Sequence, residues 1–405
     1  MRKLTLILVI VSLVFAGAAL SFAQNNYPVV IGFVADQSGL GALFYGSQEI
    51  GVQIAIEQLN EDGGILGRPV EVIARDAQFD PSFGANLARQ MILEDEVDFL
   101  LGPTSSSVAL AISEIAREQE VVVAFHTSNS AALSTTNGHP FMVQVVPNTT
   151  IESRAVAMVM ADLGFTDIAS IGPDYAYGRD SFSAFQPRLE ELNSSASVII
   201  DQWPALSERD LNPFITAIQA NAPQAIYSIL WGEQLVNFVQ QGLDQGLFDE
   251  ATVIGLYDTD FMKSIGNDLP DGLLGYARAP FYAIDTPEME AFVQRYLELS
   301  GGDYPSDWAI MAYDAVMALA AGAEAAGTTD GPAVAEVLGG LSFDSLRGEL
   351  TIRDCDRMAN VGEYIGITTN DSEFPFPILT DVIFIPAEQL WDSCEDIEAM
   401  RAEAG

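Results

Sequence analysis

From residue 29 onward, short apolar runs alternate with segments of helical period, and the alternation repeats along the chain. Residues 29–35 predict a β-strand, and 46–60 predict a helix that turns Ile50, Ile54 and Ala55 inward. Gly63 suits the left-handed position beyond that helix, and 70–74 predict the next strand. Asp80 followed by Pro81 supplies a cap and a first-turn proline for a helix running to Glu94. Strands at 97–101 and 121–125 flank a helix that begins near Ser107. After Pro147 a second series begins, with helices at 150–163, 180–192, 211–220 and 233–242 and strands at 168–171, 198–200, 225–230 and 252–256. This order predicts an α/β protein whose parallel sheets carry helices on both faces. A chain of 405 residues is long enough for two such cores. No short-period repeat and no Pro- or Ser-rich linker separates them, so ordered crossovers are expected instead of a floppy tether.

The first residues read as an export signal. Arg2 and Lys3 precede an apolar run over 4–15, and small residues lead to Ser21, Phe22 and Ala23, which resemble a cleavage site. A signal peptide over 1–23 and a mature chain starting at Gln24 are expected. The competing reading is an uncleaved anchor, which Gly17 and the small-residue end disfavour. No cysteine stands near the site to carry a lipid, and the Ala-rich stretch 309–326 is interrupted by Asp314, Gly322 and Glu324. The mature chain is therefore expected to be soluble, outside the cytoplasm.

Charge removes two classes of partner. The net charge is −40, and loss of Arg2 and Lys3 makes it more negative still, so nucleic acid and anionic lipid would be repelled. Beyond the leader Lys263 is the only lysine, a pattern that suits either a salty milieu or simply an acidic exported protein. Cys355 and Cys394 are the only cysteines; in an exported chain they predict a disulfide, in preference to a metal site or a nucleophile. Closing that loop contributes roughly 4 kcal/mol by chain entropy.

Catalytic patterns are missing. The sequence has no G-x-S-x-G, P-loop, G-x-G-x-x-G, C-x-x-C or H-E-x-x-H, and only two histidines, His126 and His139. Neither has a matched nucleophile. Asp258 and Asp260 form an acid pair of the sort hydrolases use, but 57 acidic residues make close pairs common by chance. No cofactor or metal is expected, and the chain is not expected to be an enzyme.

The stretch Gly102, Pro103, Thr104, Ser105, Ser106, Ser107 carries more information, because it stands where a strand ends and a helix begins. Its hydroxyls and the free amides of the helix start form an anion-binding corner that needs no basic side chain, and a carboxylate fits there. Capping alone uses one hydroxyl. A second polar cluster, Thr127, Ser128, Asn129 and Ser130, follows the next strand. Both clusters fall at the carboxyl ends of strands, where open α/β sheets bind ligands.

Four segments in order, "ADQSGLGALFYGSQEIGVQIAIEQLNEDGGILGRP", "DAQFDPSFGANLARQMI", "LLGPTSSSVALAI" and "PDYAYGRD", resemble the leucine/isoleucine/valine-binding family of type I periplasmic binding proteins. The resemblance implies two Rossmann-like lobes joined by three hinge crossovers, here 27–145 plus 276–352 and 146–275 plus 353–405. It implies a ligand in the cleft, closure on binding, no catalysis, and partnership as a monomer with the permease and ATPase of an ABC importer. Carried over by position, Ser106, with Ser105 beside it, resembles the residue that holds the ligand carboxylate, helped by Thr127 and by Asn129, where the family has threonine. Tyr45, Tyr177 and Trp231 fall at the family's aromatic pocket positions. The family's amino-acid binders place a glutamate after a later strand; here that region reads Gly255, Leu256, Tyr257, Asp258, so either Asp258 or Tyr257 takes the position. The ligand implied is a small carboxylate, an amino acid or an analogue, and the residues 355–394 extend the second lobe. A ligand-sensing receptor shares the fold, and a secreted hydrolase is the remaining alternative.

Overall fold

The computed structural model describes residues 27–404, so the leader expected over 1–23 lies outside the described residues. The first part of the chain runs β1 (Val29–Ala35), α1 (Ala42–Glu61), β2 (Val70–Asp76), α2 (Pro81–Leu93), β3 (Phe99–Leu101), α3 (Ser106–Gln119), β4 (Val123–Phe125) and β5 (Met142–Gln144). Its strands form one wholly parallel sheet in the order β2-β1-β3-β4-β5, with Ile31 facing Val72 on one side and Phe99 on the other. The capping expected at Asp80 is present: its Oδ1 accepts from the Phe83 amide at 2.8 Å, and Pro81 takes the first helical turn. Gly63 has φ +104°, the left-handed turn out of α1 that a side chain would strain. Helix α1 starts at Ala42, earlier than expected, because a 3₁₀ turn over Gly39–Gly41 runs straight into it.

The second part runs α4 (Thr149–Asp162), β6 (Asp167–Ile171), α5 (Ala176–Leu192), β7 (Ser197–Gln202), α6 (Asn212–Gln219), β8 (Ala225–Ser228), α7 (Gly232–Asp244), α8 (Leu247–Glu250), β9 (Thr252–Leu256), α9 (Thr259–Ile265) and β10 (Leu274–Ala277). These strands pair in parallel in the order β10-β9-β8-β6-β7. Strand β10 runs through the boundary expected between 275 and 276.

The chain then returns with α10 (Pro287–Ser300), α11 (Asp307–Ala326) and α12 (Gly331–Leu338). Helices α10 and α11 both pack on α1. The α1–α11 crossing is close enough that a Cβ at Gly51 would lie 2.1 Å from the Ala309 carbonyl oxygen. Helix α11 is long and apolar enough to cross a membrane, but most of it is buried in this packing. A hairpin of β11 (Ser342–Ser345) and β12 (Gly348–Thr351) lies against α11, and β13 (Glu363–Thr369) and β14 (Ile378–Ile385) extend the second sheet in antiparallel sense. The apolar pattern predicts none of the elements beyond 256. A register shift between Ile365 and Ile367 breaks the alternation that would have marked β13.

The chain thus passes three times between the sheets, near 145–148, 278–286 and 352–362. The end, α13 (Cys394–Ala404), returns to the first part. Arg401 donates to the carbonyls of Thr135 and Ser134, each at 2.9 Å, and of Cys355 at 2.7 Å. The expected Cys355–Cys394 disulfide is formed, with the Cα atoms 5.7 Å apart.

Candidate functional site

The carboxyl ends of β3 and β4 in the first sheet face those of β6, β8 and β9 in the second across a narrow cavity of about 30 Å3. That is far below the size of a small-molecule site, so the two sides must part to admit a ligand. Phe44, Thr104, Ser106, Thr127 and Asn129 line it from the first part, and Tyr175, Tyr177, Trp231 and Leu256 from the second. Arg278, on the second passage between the sheets, and Trp308, in the first turn of α11, complete the wall. The two sides touch: Trp231 lies 5.6 Å from Phe44 and 6.4 Å from Phe79 between ring centroids, and Ser130 donates to the Asp180 carboxylate.

On the first sheet uncharged side chains hold the hydroxyls, and the Asp36 carboxyl holds the start of α3. Gln48 Nε2 donates to Thr104 Oγ1 at 3.0 Å and to Thr127 Oγ1 at 3.1 Å, which fixes two hydroxyls of the wall. Ser105 is the cap of α3, its Oγ accepting from the Val108 amide at 3.4 Å, and its own amide donates to Asp36 at 2.8 Å. Asp36 also takes the Phe79 amide at 3.1 Å; burial outweighs these bonds and raises its carboxyl above the ordinary range. The Ser106 and Ser107 amides engage no acceptor among the described residues. His126 is fully buried with Nδ1 2.6 Å from Thr127 Oγ1, and burial pushes it down to about 3, so it is neutral at neutral pH.

Of the residues singled out by sequence, Ser106, Thr127, Asn129, Tyr177 and Trp231 come together on the cavity. Four others do not line it. Ser105 is consumed by capping and by Asp36. Tyr45 points away along α1 and donates to Glu49 at 2.7 Å, while its neighbour Phe44 turns to the cavity. Tyr257 lies over the strand glycines Gly255 and Gly275 and stacks on Phe261 at 5.2 Å, because alternation along β9 sends it to the face opposite Leu256. Asp258 caps α9, accepting from the amides of Asp260 at 2.9 Å and Phe261 at 3.1 Å. Burial, with Asp260 and Asp307 nearby, pushes its carboxyl up to about 8. Asp258 is therefore spent on a helix start, and the Asp260 carboxylate lies 3.6 Å from Lys263 Nζ.

Phe44, Tyr175, Leu256, Arg278 and Trp308 were not foreseen. Phe44 and Tyr175 lay within motifs already quoted, one and two residues from the tyrosines chosen. Arg278 had no local signal, because its partners are remote. Its Nε donates to Glu152, its Nη1 reaches the Thr127 carbonyl at 3.4 Å, and its guanidinium sits 4.9 Å over the Trp308 ring. Asp307 fixes its backbone, accepting from the Arg278 and Ala279 amides, both at 2.9 Å.

The profile described as periplasmic binding protein matches residues 28–368. The Leu/Ile/Val-binding protein BraC3 of Rhizobium johnstonii is 26% identical over 328 residues, covering 79% of this chain and 86% of that protein. Two solved structures share the fold. The solute-binding protein of an ABC transporter from Rhodopseudomonas palustris BisB5, in complex with 3,4-dihydroxybenzoic acid, has a TM-score of 0.79 at 21% identity and covers 88% of this chain and 97% of that one. The amino acid ABC transporter substrate-binding protein of Pseudomonas fluorescens Pf-5 has a TM-score of 0.81 at 19% identity, with 94% and 99% covered.

Proposed function

The chain belongs to the periplasmic binding protein family, and from that premise we propose that it is the exported substrate-binding component of an ABC importer, capturing a small carboxylate in the cleft between its sheets and delivering it to a permease. One observation carries this reading: the hydroxyl corner around Ser106 faces Tyr177 and Trp231 across one small cavity. Relatives named for leucine, isoleucine and valine and a neighbour holding a dihydroxybenzoic acid have a small carboxylate in common. The Ser106 hydroxyl and the amides at the start of α3 supply uncharged donors to a carboxylate, and the helix start adds a favourable dipole. The cavity walls bind and orient; no nucleophile–base pair among the lining residues supports turnover.

A ligand touching both parts favours the closed arrangement by its differential affinity. Small-angle scattering of the mature protein is expected to show a smaller radius of gyration at saturating carboxylate. Ser106→Ala is expected to cost roughly 1.5–3 kcal/mol, a loss of about tenfold or more in affinity by calorimetry. Unchanged dimensions together with unchanged Ser106→Ala affinity would overturn the reading.

A further inference from the structure

The cavity's polar lining is one-sided in charge. Among the described residues Arg278 is the only ionic group on the wall; the other polar side chains there are hydroxyls, an amide and the indoles of Trp231 and Trp308, and none is a carboxylate. The nearby acids lie behind the wall: Glu152 Oε1 takes Arg278 Nε, Asp307 the backbone amides of Arg278 and Ala279, Asp36 those of Ser105 and Phe79, and Asp258 Oδ1 the start of α9, while Glu152 Oε2 and Asp258 Oδ2 are buried without a partner. From the second sheet the wall at the end of β9 is the apolar Leu256.

Resting on the carboxylate reading above and deepening it, we infer that Arg278 is a specificity-determining residue, and that the cleft selects carboxylates with an apolar or aromatic body and no ammonium group. Two of the three guanidinium nitrogens are occupied, Nε by Glu152 and Nη1 by the Thr127 carbonyl, while Nη2 has no acceptor among the described residues. The Nη1 contact places the guanidinium beside the same Thr127 that belongs to the hydroxyl corner, so a carboxylate lodged at Ser106 has a charged donor within the same wall. Glu152 and the Trp308 ring hold the guanidinium and Asp307 holds its backbone, so little ordering remains to be done on binding.

The rest of the ligand meets Phe44, Tyr175, Tyr177, Trp231 and Trp308, faces that suit a flat or branched apolar body. Such a cage also suits a cation, but the cation at the Trp308 face is already Arg278. An ammonium would be stripped of water, find only neutral acceptors on the wall itself and sit close to a like charge, each of which disfavours it.

The test uses the mature protein freed of carried ligand, with calorimetry on matched pairs: 3-phenylpropanoate against L-phenylalanine, 4-methylpentanoate against L-leucine, and benzoate against benzamide. Each carboxylate without an ammonium is expected to bind about tenfold or more tighter than its amino acid. Leu256→Glu, which adds an acidic partner on the wall, is expected to narrow or invert that ratio. Arg278→Lys, folded by circular dichroism, is expected to lose about tenfold for the carboxylates because a point charge replaces the fork. An amino acid or glycine betaine binding as tightly as the plain carboxylates overturns the selectivity and leaves carboxylate capture standing. Benzamide binding as tightly as benzoate overturns carboxylate capture and the selectivity together. Unaltered carboxylate affinity in folded Arg278→Lys removes Arg278 from the role. The wild-type pairs decide the selectivity even where a variant fails to fold.

Discussion

Thr127 and Arg278 meet at one wall of the cavity, yet the regions they belong to are held in different ways. The hydroxyl corner of the first sheet rests on uncharged side chains: a serine cap three residues from its target, and one glutamine amide shared by two threonines 56 and 79 residues along the chain. The passages between the sheets are held by buried charges from distant parts of the chain. Asp314, in α11, accepts from the Leu346 amide at 2.9 Å and from Arg347 Nε at 2.8 Å. Arg347 in turn donates to the Val145 carbonyl at 2.6 Å on the first passage. Glu152 meets Arg278 across 126 residues of sequence. A corner that must accept a carboxylate gains from neutral donors, since they make strong bonds to an anion without demanding one of their own. A crossover that must keep its geometry while the sheets move gains from groups that cannot be left unpaired.

This contrast is broken most severely by removing one member of a pair. Asp314→Ala leaves the Arg347 guanidinium, 4% exposed, without a counter-charge. Loss of a single partner from a buried ion pair costs about 3–5 kcal/mol. Urea denaturation is expected to show a loss of that size. A loss below about 1 kcal/mol would mean that the passages are held by packing instead.

The disulfide tests a covalent form of the same tie. Cys394 joins the tail to Cys355 on the third passage, while Arg154 of α4 donates to the Leu390 carbonyl at 2.7 Å and Arg401 grips the Ser134–Thr135 turn. The tail therefore straps both parts of the molecule on the side of the passages. The double variant Cys355→Ser, Cys394→Ser is expected to lose about 2–4 kcal/mol, given the 39-residue separation. Wild-type protein under reductant is expected to move its thermal midpoint by a matching amount, and the variant not to respond to reductant.

Legibility in the sequence follows the same division. Most of the strand–helix alternation over 29–256, β5 excepted, was readable because those elements announce themselves within a few residues: Asp80 and Pro81 at a helix start, Gly63 at a helix end, an apolar run at β9. Ser106, Thr127 and Asn129 were readable for the same reason, since strand ends converge in a parallel sheet, whereas Tyr177 and Trp231 were readable only through the family resemblance. Arg278, Glu152, Asp314 and Arg347 look like four more surface charges in a chain rich in them. Only the folded pairing, over separations of 33 and 126 residues, shows what they do. Asp258 misled for a related reason: its position in the chain was near the site, but its side chain was already committed to two amides of its own helix.

Asp258 sharpens the comparison through pH. Its Oδ2 is buried without a partner, and its carboxyl is pushed from the ordinary range up to about 8 by burial, then by Asp260 and Asp307, with Arg278 opposing. A carboxyl raised on folding binds its proton more tightly in the native state. Its contribution is therefore intact below about pH 4 and is lost as pH rises through 8. Asp258→Asn keeps an acceptor for the Asp260 and Phe261 amides and removes the ionisation. The variant is expected to match wild type near pH 4 and to exceed it by about 1–3 kcal/mol near pH 9, the usual penalty of an unsatisfied buried polar group. Ligand affinity at pH 6 is expected to be unchanged, because the side chain is outside the cavity. A selective loss of amino-acid binding would return Asp258 to the site.

The smallest effect expected belongs to Tyr45, and it separates the two faces of α1. Tyr45 and Phe44 are adjacent, so helical geometry points them about 100° apart, and only one can face the cavity. Phe44 is 1% exposed and touches both Trp231 and Trp308, at 5.6 and 4.8 Å between centroids. The Tyr45 hydroxyl donates to Glu49, one turn further along the same helix and exposed. Tyr45→Phe removes only that surface hydrogen bond, and is expected to change stability by less than about 0.5 kcal/mol and affinity not measurably. Phe44→Ala, by contrast, is expected to weaken binding several-fold while the protein remains folded, because it strips the aromatic wall that the first sheet presents to Trp231. If calorimetry gave Tyr45→Phe the larger loss, α1 would be rotated in the ligand-bound protein relative to the arrangement described, and the corner would owe its shape to closure instead of to Gln48 and the capping serine.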